Sequence, residues 1–131
     1  MNDRHRYRGK RVDTGEWVIG SLVEFEDCPQ IVYGRTNGLN NAGVTVAEDT
    51  IGQCTGIKDK AGRLVFEGDV LKRSTGTVGV VKWREEYACF DFWYIDDYSG
   101  NYSVLLSHII TDSEIVGDIY TNPELVEGAE E

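Results

Sequence analysis

The stretch GDVLKRSTGTVGVVKW, residues 68–83, decides the fold class of the chain. Two runs rich in apolar and β-branched residues, Val70–Arg73 and Thr77–Trp83, flank Ser74–Gly76, whose serine and glycine are typical of a tight reversal. Gly68 allows the chain to turn sharply before the first run, because glycine carries no Cβ atom. The stretch therefore predicts a β-hairpin.

Similar short runs extend in both directions from this hairpin. They are Tyr7–Val12, Trp17–Phe25, Ile31–Tyr33, Val44–Val46, Leu64–Phe66, Tyr87–Ile95, Tyr102–Leu106 and Glu114–Tyr120. Asn122 is placed to cap a short C-terminal helix that begins at Pro123, while Leu105–Ile110 fits helical and strand spacing equally well. The pattern predicts a mainly β fold, either small antiparallel sheets or an SH3-like partly open barrel, with one short C-terminal helix.

A glycine-rich, turn-like segment from Thr50 to Lys60 interrupts the series of runs. It predicts a linker or lobe boundary near residues 50–56 and divides the chain into an N-terminal hairpin region, 1–49, and a barrel-like region, 50–131. One compact domain over residues 1–131 is the alternative.

The composition is that of a folded protein outside the membrane. Of the 131 residues, 40% are hydrophobic, and three Trp, seven Tyr and four Phe can build a core. The apolar runs are far shorter than the roughly 20 residues that cross a bilayer. The chain opens with charged residues rather than an apolar leader, so we expect a cytoplasmic location.

The residues that bind metals or cofactors do not occur at the required spacings. Cys28, Cys54 and Cys89 form no Cys-x-x-Cys pair, and His5 and His108 stand far from one another. Neither a phosphate-binding glycine motif nor a Ser–His–Asp order is present, and the acidic residues after position 84 match no EF-hand spacing. We therefore predict no catalytic residue, no metal and no cofactor.

Charge is distributed very unevenly along the chain. Residues 1–84 hold all thirteen Lys and Arg against eleven acids, whereas residues 85–131 hold twelve acids and no Lys or Arg. The basic head comprises Arg4, Arg6, Arg8, Lys10 and Arg11, opposed by Asp3. Opposite charges of this kind attract, so the head can be a strap that docks on the acidic half, within one chain or between subunits. Between subunits the contact would be head-to-tail, which closes into rings, and we predict a homo-oligomer. A nucleic-acid arm and a solvated charged strand are the other interpretations of the basic head.

Two further groups of residues are candidates for an interaction surface. Asp59, Glu67 and Asp69 follow or precede glycines in turns, so they fit either a polar binding surface or plain turn chemistry. Trp83 and Trp93 belong to an aromatic segment that fits a core or a subunit interface. Nearby acids would repel phosphates, which argues against nucleic acid as a partner. The predicted surface comprises Arg4, Arg6, Arg8, Asp59, Glu67, Asp69, Trp83 and Trp93.

Two segments carry a family resemblance. Residues 50–69, TIGQCTGIKDKAGRLVFEGD, and residues 115–125, IVGDIYTNPEL, resemble signatures of the YopX-like family of phage and prophage proteins, as does an Arg-rich opening followed by Gly15, Trp17 and Gly20. Asp118 and Cys54 depart from the usual Asn and aromatic residue at their positions. The resemblance implies a β-rich fold and a phage or prophage origin, and no activity.

The leading hypothesis is therefore a non-enzymatic accessory protein that acts through self-association and through contacts with an unknown host or phage protein. The alternative is an acidic inhibitor that mimics nucleic-acid charge and blocks a host DNA-binding protein.

Overall fold

The computed structural model describes residues 3–24, 28–33, 42–95, 103–106 and 110–126. The strands are β1 Tyr7–Lys10, β2 Trp17–Glu24, β3 Pro29–Tyr33, β4 Ala42–Thr45, β5 Gly52–Lys58, β6 Leu64–Phe66, β7 Asp69–Arg73, β8 Val78–Arg84, β9 Cys89–Tyr94, β10 Ser103–Leu105 and β11 Ser113–Asp118. Short 3-10 helices span Asp3–His5, Glu48–Thr50, Glu85–Tyr87, Ile110–Asp112 and Pro123–Val126. The helix predicted at Pro123 is this last single turn.

The strands form two antiparallel sheets, which confirms the predicted mainly β fold. One sheet has the order β4-β3-β2-β1-β5-β6, and the other has the order β10-β9-β8-β7-β11. The sheets are small, and neither closes into a barrel within the described residues. None of the described helices is long and apolar enough to cross a membrane.

The chain divides into two compact units, Met1–Cys54 and Thr55–Glu131. The predicted boundary after residue 49 falls inside the 3-10 helix Glu48–Thr50. In unit 1, strands β1 to β4 follow one another as antiparallel neighbours. The chain after β4 then returns to β1, where Arg11 and Val46 form a bridge and the Ala47 amide donates to the Lys10 carbonyl over 2.8 Å.

The segment 50–56, predicted as a linker or lobe boundary, contains the start of strand β5, and the division between the two compact units falls within it, after Cys54. Gly52 and Gln53 pair with Arg8 and Tyr7 of β1, and the Cys54 amide donates to the Arg6 carbonyl. The glycines of this segment suggest turns, but the hydrogen bonds that β1 offers along its second edge outweigh that local preference. Residues beyond Cys54 continue the strand into unit 2.

The core of unit 2 lies on one face of its five-stranded sheet. Val81 and Phe92 are opposite one another on β8 and β9, and both are fully buried. The buried members of this core are Val65, Leu71, Val81, Phe92, Leu106 and Ile110. The hairpin predicted from residues 68–83 is present as β7 and β8, with Gly76 at a φ of +94° in its turn.

Some predictions concern residues beyond the described ranges. The Gly- and Asn-rich residues 35–43 predict an exposed loop; residues 35–41 lie outside the described ranges, whereas Ala42 and Gly43 belong to β4. The predicted turn at residues 96–101 also lies outside them, as does part of the ambiguous segment 105–110. Within that segment Leu105 ends β10, and Leu106 is buried.

Candidate interaction surfaces

Asp59 is a buried carboxylate that joins its own turn, between β5 and β6, to strand β11. Its side chain has no exposed surface. Oδ1 accepts hydrogen bonds from the backbone amides of Ala61 at 3.0 Å and Arg63 at 2.9 Å, and Oδ2 accepts one from the Ile115 amide at 2.9 Å. Burial raises the pKa of Asp59, but the amides of Ile115 and Arg63 and the Arg63 charge outweigh it, so the pKa lies below its ordinary value of 3.8.

The turn that contains Asp59 also covers the outer edge of β11. The Lys60 amide donates to the Ser113 carbonyl at 2.9 Å, and the Arg63 Nη2 donates to the Ile115 carbonyl at 2.7 Å. The carbonyls of Ser113 and Ile115 and the amide of Ile115 are backbone groups that β11 directs away from β7. They are therefore satisfied by a turn instead of by another strand.

Asp69 and Asp118 use their carboxylates in a similar way. Asp69 Oδ2 accepts a hydrogen bond from the Phe66 amide at 2.7 Å, and Asp118 Oδ1 accepts hydrogen bonds from the amides of Tyr120 and Thr121. The two residues face each other where β7 pairs with β11. Glu67 is half-buried in the turn between β6 and β7. Within the described ranges, no three His, Cys, Asp or Glu side chains are gathered in a way that could hold a metal ion.

Glycine makes the junction of these segments possible. Gly68 has a φ of +94°, and a Cβ atom there would lie 2.9 Å from Cε2 of Tyr120. Its amide donates to the Val81 carbonyl and its carbonyl accepts from the Ile119 amide. The two segments that carry the family resemblance therefore meet around a backbone position that only glycine fits without strain.

In unit 1 the residues of the basic head differ in their exposure. The guanidinium carbon of Arg8 lies 4.4 Å from the ring centroid of Trp17, and Lys10 Nζ lies 5.3 Å from the same centroid. Arg8 is only 8% exposed, so its charge is largely covered. Arg11 forms two hydrogen bonds with Asp13, at 2.9 Å and 3.0 Å. Arg4 and Arg6 are exposed, whereas Lys10 and Arg11 are half-buried.

In unit 2 the end of the β8–β9 hairpin exposes aromatic side chains. We call Trp83, Glu85, Glu86 and Tyr87 the hairpin tip. Trp83 is 43% exposed and packs edge-on against Phe90, with 5.0 Å between the ring centroids. Tyr87 is 71% exposed, and Glu85 and Glu86 beside it are exposed as well. The tip therefore combines apolar rings with negative charge.

Arg84 lies beside the hairpin tip and connects it to the opposite face of the sheet. Its Nη1 lies 3.3 Å from Asp91 Oδ2, and its guanidinium carbon lies 5.3 Å from the ring centroid of Tyr87 and 4.9 Å from that of Trp93. Lys82 adds a second cation to Trp93 at 5.6 Å. Arg84 and Tyr87 were not among the predicted surface residues, although the alternation of basic and aromatic residues in Lys82–Arg84 was a signal for Arg84.

The predicted surface residues are divided between the two units. Arg4, Arg6 and Arg8 belong to unit 1, and the other five belong to unit 2. There, Asp59, Glu67 and Asp69 lie in or beside turns, whereas Trp83 and Trp93 lie on opposite faces of the β8–β9 hairpin.

These features define a mainly β protein of two units that presents exposed arginines on one unit and an acidic, aromatic hairpin end on the other. The family model described as YopX protein matches residues 6–127, and the chain belongs to the YopX family. This confirms the resemblance that the two signature segments predicted. No curated protein matches the chain.

Proposed function

We propose that this YopX family protein is a non-enzymatic phage or prophage accessory protein that acts in the host cytoplasm through self-association and contacts with other proteins. The observation that carries the proposal is the separation of charge, with exposed arginines at the start of the chain and twelve acids without a Lys or Arg in residues 85–131. Opposite charges on separate surfaces favour contacts between copies.

Exposure indicates which cations of the basic head serve this association. Arg8 is buried, and Lys10 and Arg11 are half-buried. Arg4 and Arg6 are the exposed arginines of the head. They are therefore the residues that we expect to contact a second copy.

The acids of the second half favour self-association over mimicry of nucleic acid. A mimic needs its carboxylates exposed in a row, but several of those in the described ranges are bonded within unit 2. Asp91 pairs with Arg84, Asp112 pairs with Arg73 at 3.2 Å, and the Asp118 carboxylate accepts backbone amides. The exposed acids of the described second half are Glu85, Glu86, Glu114 and Glu124.

The proposal is tested by reversing the exposed charges of the head. At about 0.1 M salt, where charges act over about 10 Å, the double variant Arg4→Glu, Arg6→Glu should have a lower mass by light scattering than the wild type. Arg8 is left unchanged because it is buried against Trp17.

The matched control reverses two exposed lysines of unit 2, Lys60→Glu and Lys72→Glu, and so changes net charge equally. We expect it to keep the wild-type mass. A wild-type protein that is monomeric, or a control that dissociates as fully as the head variant, would count against the proposal.

A further inference from the structure

We propose that the hairpin tip of one copy is the surface that receives the basic head of a second copy, with Arg4 and Arg6 against Trp83, Glu85, Glu86 and Tyr87. This inference rests on the proposed self-association and names the two surfaces that make the contact.

Exposure is the first argument for the hairpin tip. Trp83 and Tyr87 are among the large hydrophobic side chains that unit 2 leaves exposed, at 43% and 71%. They lie within four residues of each other at one end of the β8–β9 hairpin. Aromatic residues in this position are enriched at protein interfaces, because they bury a large rigid area at little cost in side-chain entropy.

Charge is the second argument, and it indicates which group binds at the hairpin tip. Glu85 and Glu86 give the tip two negative charges, while the neighbouring positive charge of Arg84 is paired with the buried Asp91. A surface of aromatic rings and carboxylates is complementary to guanidinium groups, which stack on rings and pair with carboxylates at the same time. The exposed arginines of the basic head supply such groups.

An internal contact shows that the tip accepts a guanidinium. Arg84 already lies 5.3 Å from the Tyr87 ring centroid, with its Nε 4.0 Å from the Glu86 carboxylate. Because Tyr87 remains 71% exposed beside Arg84, its ring has room for a further arginine. Arg4 or Arg6 of a second copy would repeat the stacking and pairing that Arg84 makes.

A charge-swap experiment tests the contact on the full-length protein. The variant Glu85→Arg, Glu86→Arg should raise the dissociation constant of the oligomer about tenfold, equal to about 1.4 kcal/mol, as measured by analytical ultracentrifugation. Combining it with Arg4→Glu, Arg6→Glu should restore association, since the pairs are then formed with opposite polarity.

Tyr87→Ala tests the stacking separately. We expect a weakening of the oligomer of about fivefold for the loss of one exposed cation–π contact. Val116→Ala is the matched control, because Val116 is also an exposed apolar residue of unit 2, at 45%, and it lies on β11 away from the tip. Far-UV circular dichroism verifies that each variant keeps the β fold.

The outcomes separate this inference from the function on which it rests. An oligomer that dissociates with the head variant but is unaffected by the tip variants would overturn the hairpin tip as the receiving surface and leave self-association intact. Failure of the combined charge swap to restore association would do the same. A wild-type protein that is monomeric at every salt concentration would overturn both proposals.

Discussion

Asp59 shows how much one side chain can contribute to unit 2. A buried carboxylate is costly unless donors surround it, and Asp59 has backbone donors from its own turn and from Ile115 on β11. The side chain thus joins segments that are 56 residues apart in sequence. Its contribution depends on its remaining ionised, which makes the stability of unit 2 depend on pH.

Replacing Asp59 by Asn should lower the free energy of unfolding at neutral pH by about 2–3 kcal/mol, because an amide group cannot accept hydrogen bonds at both of its ends. The folded pKa of Asp59 lies below 3.8, so its contribution is complete above that pH and is lost as the pH falls through the folded pKa. Urea denaturation at several pH values should therefore show a steeper acid loss for the wild type than for Asp59→Asn.

Glu114→Gln is the control for this titration, because Glu114 is an exposed carboxylate on the same strand as Ile115. Its stability should follow the wild-type pH dependence. Parallel curves for the wild type and Asp59→Asn would show that the Asp59 carboxylate does not supply the acid-sensitive contribution.

The connection between β8 and β9 is the element on which the proposed contact depends. It is the single turn Glu85–Tyr87, closed by the Ala88 amide donating to the Glu85 carbonyl at 3.3 Å. Ala88 has a φ of +51°, in the left-handed region that costs a non-glycine residue about 1–2 kcal/mol. The connection is therefore held in a strained conformation by the strands on either side.

Ala88→Gly should stabilise the protein by about 0.5–1 kcal/mol, because relief of the strain exceeds the added freedom of glycine in the unfolded chain. Ala61→Gly is the contrasting control, since Ala61 lies in an exposed turn and has no positive φ. It should destabilise the protein by a similar amount. Thermal unfolding of both variants is the measurement, and shifts of the same sign would refute the assignment of strain to Ala88.

The elements that could be predicted from sequence are those whose pattern is local. Strands such as β7 and β8 combine β-branched residues with a Ser-Thr-Gly reversal between them, so the hairpin follows from residues 68–83 alone. Strand β5 has no such pattern, because Gly52 and Gly56 weaken the local preference for a strand. Its first residues, Gly52 and Gln53, pair with β1, more than 40 residues away, which a local pattern does not reveal.

The charge of the two compact units differs from the charge of the two halves of the sequence. Divided by its compact units, the chain has six basic and eight acidic residues in unit 1 and seven basic and fifteen acidic residues in unit 2. Both units are therefore acidic, with formal charges of −2 and −8. The attraction that we propose is local, between exposed groups, and acts against a net repulsion between copies that each carry −10.

Self-association should consequently pass through a maximum as salt is increased. At about 0.01 M salt, charges act over about 30 Å and the net repulsion is felt, whereas at about 1 M the range falls to about 3 Å and the local pairs are screened. Light scattering across this range should give the highest mass at intermediate salt. A mass that falls steadily from the lowest salt concentration would mean that long-range attraction dominates.

Only part of the candidate surface could be predicted from the sequence. The sequence identified Arg4 and Arg6 as cationic and Trp83 as aromatic, but it did not show that these side chains are more exposed than Arg8 and Trp93. Arg8 is covered by its stacking on Trp17, which depends on the pairing of β1 with β2. Exposure is set by tertiary packing, so the structure was needed to sort these residues.

The hydrogen bonds from the Asp59 turn to β11 also bear on how the protein avoids fibril growth. The edge of a sheet whose amide and carbonyl groups lack hydrogen bonds can pair with a strand of a neighbouring chain, and the added strand can bind the next. At Ser113 and Ile115 these groups already form hydrogen bonds with Asp59, Lys60 and Arg63. Loss of the Asp59 carboxylate would leave the Ile115 amide without this acceptor, so we expect a substitution there to promote aggregation as well as weaken folding.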